Sequence, residues 1–170
     1  MFLIVSPLSR LAEVIAERAP SHLVTLLGPE EMIATPAGID PARHLRLGVH
    51  DIAAPQPGLT APDAALLEEL LRFGRGWSGE APMLVHCHAG ISRSTATAFV
   101  LACERNPRAD ELEIALKMRR AAPQAYPNRR IVALADDMLG RGGRMIGAVE
   151  AMGANGFALE GVPFELPARH

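Results

Sequence analysis

Short apolar runs alternate with helical periods along most of this chain, and that alternation restricts it to an α/β architecture. Phe2 to Val5 ends at Ser6-Pro7, His22 to Leu27 ends at Gly28-Pro29, and Met83 to His86 runs into a cysteine. Each run is too short for a stable helix and reads as a buried strand. His44 to Val49 alternates in character and predicts a third strand in chain order, which delivers His50 and Asp51 into the Pro/Gly-rich stretch Ala53 to Gly58. Leu11 to Arg18 places Leu11, Val14 and Ile15 on one helical face. Thr60-Ala-Pro-Asp63 predicts a capping-box start, with Pro62 in the first turn and Leu66, Leu70, Phe73 and Trp77 inward. Further helices are expected from Ser92 to Glu104, after a cap at Asp110 and after a cap at Asn128. Gly140 to Gly143 breaks the last of these, and a short helix to Met152 follows. The expected fold is one α/β domain over residues 1–152, with a central, mostly parallel sheet of four or five strands flanked by helices. Residues 153–170 show no period and are expected as a C-terminal tail of unknown order.

With 170 residues the chain is long enough to bury a core without disulfide or metal staples. Its 17 basic and 19 acidic residues give a net charge of −2, so nothing drives it toward nucleic acid or an anionic membrane. No apolar run approaches the roughly 18 residues that span a bilayer. The opening Met-Phe-Leu-Ile-Val lacks a basic flank and reads as a strand, not a signal peptide. Two cysteines, Cys87 and Cys103, are too few for a disulfide scaffold and fit a reducing cytoplasm.

The chemistry concentrates in Val85-His86-Cys87-His88-Ala89-Gly90-Ile91-Ser92-Arg93-Ser94-Thr95. A buried strand ends, a cysteine follows, an arginine comes six residues later, and a helix begins. Loop amides and a helix N-terminus then converge on one point and form an anion site. Gly90 permits a positive φ or a close backbone approach inside the loop. Arg93 can hold two oxygens of a tetrahedral oxyanion at once. The same field favours Cys87 in its thiolate form. The segment can therefore bind a phosphate and attack it.

His86-Cys87-x5-Arg93-Ser94 resembles the H-C-x5-R-[S/T] signature of the protein tyrosine phosphatase superfamily. Its spelling is most similar to the compact dual-specificity-like members and their bacterial relatives. The resemblance spans residues 44–140. It implies Cys87 as nucleophile, the loop His88, Ala89, Gly90, Ile91, Ser92 and Arg93 as the phosphate cradle, and His86 as an orienter of that loop. It further implies Ser94 as the hydroxyl that helps the sulfur leave. Asp51 sits where the family keeps its general acid, although the Trp-Pro-Asp wording is absent, and Pro127-Asn128 resembles a Pro-Asn that precedes the last helix of such enzymes. The implied reaction is metal-free, needs no cofactor, and hydrolyses phosphate monoesters through a phosphocysteine intermediate. Its pH profile is expected to be bell-shaped, with an optimum on the acidic side of neutrality.

The expected substrate is a phosphorylated protein, phosphotyrosine first and dual specificity as an extension, or a small phosphomonoester. The loop carries no lysine of the kind that relatives acting on polyphosphorylated rings often place there. A phosphoinositide or other small-molecule phosphatase, a non-catalytic phosphotyrosine-binding module and a rhodanese-like sulfurtransferase are the competing readings. Asp63 is the alternative acid. His86-Cys87-His88 is not expected to bind metal, because neighbours on a strand point to opposite faces. Cys103 reads as core packing, and Gly140-Arg-Gly-Gly-Arg144 as a turn between helices.

Overall fold

A computed structural model describes residues 1–154 and 156–170. Five strands form one sheet: β1 (Phe2–Pro7), β2 (His22–Leu27), β3 (His44–Gly48), β4 (Met83–Cys87) and β5 (Phe164–Pro167), in the order β3-β2-β4-β1-β5. The first four are parallel to their neighbours, and β5 joins β1 antiparallel at the edge. The sheet is thus mostly parallel, as the alternation implied. The helices are α1 (Leu11–Arg18), α2 (Ala64–Gly76), α3 (Arg93–Arg105), α4 (Glu111–Ala121), α5 (Arg129–Met138) and α6 (Arg144–Ala151). Together they cover the sheet, and near-continuous apolar strands such as Leu3–Val5 and Met83–Val85 are fully buried, the usual state of parallel strands covered on both faces. None of the described helices is long and apolar enough to cross a membrane.

One local expectation is corrected. Helix α2 begins one residue after Asp63, whose Oδ1 accepts the Leu66 N–H at 2.9 Å. Asp63 is therefore the N-cap itself; Thr60 caps nothing and Pro62 lies outside the helix, where its missing N–H costs no helical bond. The buried face of α2 carries Leu67, Leu70, Leu71 and Gly74, with Trp77 buried just beyond it, and Leu66 and Phe73 are half-buried. The tail, whose order the sequence leaves open, contributes β5, in which Phe164 and Leu166 are buried while Glu165 and Pro167 are half-buried. A period of two over four residues, flanked by Gly and Pro, is too brief to stand out in a sequence. Arg18 of α1 pairs with Glu165 and pins the strand to the domain.

The topology decides where chemistry can sit. Strands β1 to β4 run in one direction, so their C-terminal ends share one edge. In open α/β sheets this edge is where ligands bind. Strand β4 lies between β1 and β2, and its last residue is Cys87.

Candidate active site

The loop after β4 is built by turning its carbonyls outward. The Leu8 N–H donates to His88 O at 3.0 Å, Gly161 N–H to Ala89 O at 2.8 Å, and Tyr126 N–H to Ile91 O at 2.9 Å. Ser92 O accepts from the Ala96 and Asn128 amides and from Thr95 Oγ1. In a trans peptide the next N–H points opposite to the carbonyl, so the amides of Ala89, Gly90, Ser92 and Arg93 turn inward. One of them is seen directly: Gly90 N–H donates to Cys87 Sγ at 3.3 Å. Gly90 has φ +70°, and a Cβ there would meet Pro7 N at 2.7 Å, so only glycine fits.

Cys87 is 2% exposed, at the floor of this ring. Its sulfur lies 3.1 Å from Ser94 Oγ, in the first turn of α3. The inward amides and the N-terminal end of α3 favour negative charge at that point. Arg93 is buried; one terminal nitrogen donates to Val49 O at 2.8 Å, while its Nε is buried without a hydrogen-bond partner among the described residues. Arg93 also lines the cleft, where its guanidinium can meet the oxygens of an anion.

Asp51 reaches the same place from the end of β3. Its Oδ1 accepts from Ser92 Oγ at 2.7 Å and from Asn128 Nδ2 at 2.8 Å. Both donors fall on one oxygen, and Asp51 lines the cleft. Asn128, expected as a helix cap and as part of the Pro127-Asn128 resemblance, also reaches the candidate site. Its Oδ1 accepts the Arg130 and Ile131 amides to start α5, while its Nδ2 holds the Asp51 carboxylate over the loop. The cap pattern was readable; the second hydrogen bond depends on residues 77 apart. Gly161 was also unforeseen. It lies in the tail, and a Cβ there would meet Gly90 O at 2.9 Å, so a glycine lets the strand segment press against the back of the loop.

His86 is buried in β4 and does not line the cleft, whereas His88, just past the end of the strand, is exposed and lines it. His86 is fully buried; its Nε2 lies 2.7 Å from Thr25 Oγ1, and that hydroxyl lies 2.8 Å from His44 Nε2. His44 Nδ1 is 2.9 Å from Thr35 Oγ1. The Cys87 carbonyl near His86 Nδ1, at 3.4 Å, can only accept, so His86 carries its proton on Nδ1 and Thr25 donates to Nε2. His44 must then donate to Thr25, and Thr35 to His44. Burial holds both rings neutral and lowers each to about 4, with Arg46 adding to the effect at His44. The unfolded chain, with ordinary histidines, binds protons between about pH 6.5 and 4 that the fold excludes. Stability is therefore full above pH 6.5 and is expected to drain away toward pH 4, His86 alone withdrawing up to about 3 kcal/mol. Urea midpoints measured across that range, with a shallower slope in His86→Gln, check the point.

The cleft formed by these parts has a volume of about 400 Å³ and is lined by Cys87, Arg93, Asp51 and loop residues His88, Ala89, Ile91 and Ser92, with Glu31 at one wall. The structure thus brings together Cys87, Arg93, Ser94 and Asp51 and leaves Asp63 at its helix cap. Cys103 is fully buried in α3, where burial pushes its thiol up to about 12. The loop at Gly140 to Gly143 is a turn whose Arg141 pairs with buried Glu111.

Neither a protein-family model nor a curated protein matches the sequence. Solved structures do match the fold. Human DUSP28 aligns with a TM-score of 0.60 at 21% identity, covering 82% of this chain and 92% of that one. PTPMT1 in complex with PI(5)P aligns with a TM-score of 0.59 at 13% identity, covering 88% and 91%. PTP-2 phosphatase of Cydia pomonella aligns with a TM-score of 0.58 at 19% identity, covering 78% and 83%. The parallel sheet, the loop at its central strand and these alignments agree: the chain has the protein tyrosine phosphatase fold in its compact, dual-specificity-like form.

Proposed function

We propose that the protein is a cysteine-dependent phosphatase that hydrolyses phosphate monoesters, phosphotyrosine on protein above all, without metal or other cofactor. The observation that carries this is Cys87 Sγ set among the inward amides, with Arg93 lining the same cleft. In the first step the Cys87 thiolate attacks phosphorus in line. The P–O bond breaks, and the leaving oxygen takes the proton of Asp51. Arg93 and the loop amides stabilise the equatorial oxygens as charge spreads over them. In the second step water attacks phosphorus, Asp51 accepts the water's proton, and the P–S bond breaks. The departing sulfur is stabilised by Ser94 Oγ and the Gly90 amide. The products are an alcohol or phenol and inorganic phosphate. The reaction needs Cys87 reduced; both cysteines are free thiols, which suits the cytoplasm.

The proton donor provides the test. Asp51→Asn is expected to slow turnover of phenyl phosphate by about 100-fold or more, and far less for aryl phosphates whose leaving groups depart without a proton. Asp63→Asn, at the helix cap, should cost about 1 kcal/mol of stability and leave the leaving-group slope alone. A uniform loss across all leaving groups in Asp51→Asn would make Asp51 a structural turn residue and remove it from the mechanism.

A further inference from the structure

The cleft carries a charge that catalysis does not use. Glu31 closes the turn Pro29–Glu31, which follows β2 at the same sheet edge as Cys87. Its neighbour Glu30 is turned away and engaged, with Oε1 3.0 Å from His50 Nε2. The turn is fixed by the Glu31 N–H donating to Gly28 O at 2.9 Å and by Pro29 packed against Gly48. Glu31 is exposed and makes no ion pair among the described residues, yet it lines the cleft.

The charges around a bound phosphate can then be counted from the lining. Arg93 supplies the one guanidinium and lies buried at the base, where the loop amides share the phosphoryl group with it. The lining includes no lysine and no second arginine. Besides His88, and Asp51, which serves the reaction, Glu31 is the one remaining ionisable side chain of the wall. A substrate bearing a single phosphate satisfies the base and leaves the wall unopposed. Any further anionic group on the substrate meets Glu31, and a cationic group there finds a partner.

We propose that Glu31 sets the charge selectivity of this cleft, so that its preferred ligand is a single phosphotyrosine in a peptide with neutral or basic flanks, and polyphosphorylated rings are disfavoured. This rests on the phosphatase reading of the same cleft. At contact distance in water one pair of unit charges changes an equilibrium about fivefold, and salt reduces that factor.

The test uses the full-length Cys87→Ser protein, which keeps the loop and Arg93 but cannot turn over its ligand. Equilibrium binding is measured for three phosphotyrosine peptides with basic, neutral and acidic flanks, and for inositol bisphosphate. The expected order of affinity is basic, neutral, acidic, then the bisphosphate. Adding Glu31→Gln should narrow the basic-to-acidic ratio about fivefold per flanking charge in reach, and Glu31→Lys should narrow it further or reverse it. Raising salt should compress the ratio in the protein with Glu31 and change it less in Glu31→Gln. An unchanged ratio in Glu31→Gln, or tightest binding of inositol bisphosphate by the protein with Glu31, overturns the proposal. So does a leaving-group dependence of turnover in Glu31→Gln with Cys87 intact, which would make Glu31 a proton donor. Absence of turnover in the parent protein would instead overturn the phosphatase reading, and the binding ratios would still decide the role of Glu31.

Discussion

Cys87→Ser is expected to reduce turnover of aryl phosphates to background while phosphate-analogue binding survives. Serine at that position is isosteric enough to keep the ring of amides, since the loop carbonyls are held from outside by Leu8, Gly161, Tyr126 and Asn128. What it lacks is an ionised state near neutral pH, so the nucleophile disappears while the oxyanion donors remain. Vanadate should inhibit the parent protein, and chelators should leave its rate unchanged. Activity that survives in Cys87→Ser, or that requires added divalent metal, contradicts the account.

The second large effect is expected at Arg93. Lysine preserves the charge but not the fork: Arg93 sets one terminal nitrogen on Val49 O at 2.8 Å, keeps a buried Nε free of any partner among the described residues, and lines the cleft. A lysine ammonium cannot hold the strand carbonyl and an equatorial phosphoryl oxygen in the same geometry. Loss of one transition-state donor elsewhere costs about 100- to 1,000-fold in kcat, and Arg93→Lys should fall in or beyond that range. The loss should be larger in kcat than in KM, because charge on those oxygens grows in the transition state. Near-parent kcat in Arg93→Lys would mean that Arg93 does not hold the transferring group.

How far the sequence foretells these features depends on the range of the interactions involved. Strands β1 to β4 and α1 follow from local periodicity, and α1 buries Leu11, Val14 and Ile15 as its pattern requires. The His86-to-Ser94 motif is legible because one continuous segment supplies the sulfur, the amides, the guanidinium and the hydroxyl. Asp51 could be placed by its position at a strand end, but what aims it could not: Asn128 approaches from the start of α5 and Ser92 from the loop. The same holds for the Thr25 bridge between His86 and His44, which joins three adjacent strands. Glu31 escapes a sequence reading because a surface turn with two glutamates gives no sign of which one faces a cleft. The capping error at α2 has a different origin. A Thr-x-x-Asp string fits the spacing of a capping box, but Pro62 between the two makes the Asp the better cap.

The central claim is that a covalent bond forms between phosphorus and one sulfur. It is tested most directly by mixing the parent protein with a phosphotyrosine peptide, quenching in acid within the first turnover, and mapping the protein by mass spectrometry. The account predicts a phosphoryl group on the fragment containing Cys87, accumulating further in Asp51→Asn with a good leaving group, where the water-activating base is missing, and absent from Cys87→Ser. Turnover with no such adduct at any quench time, or an adduct on another residue, would contradict it.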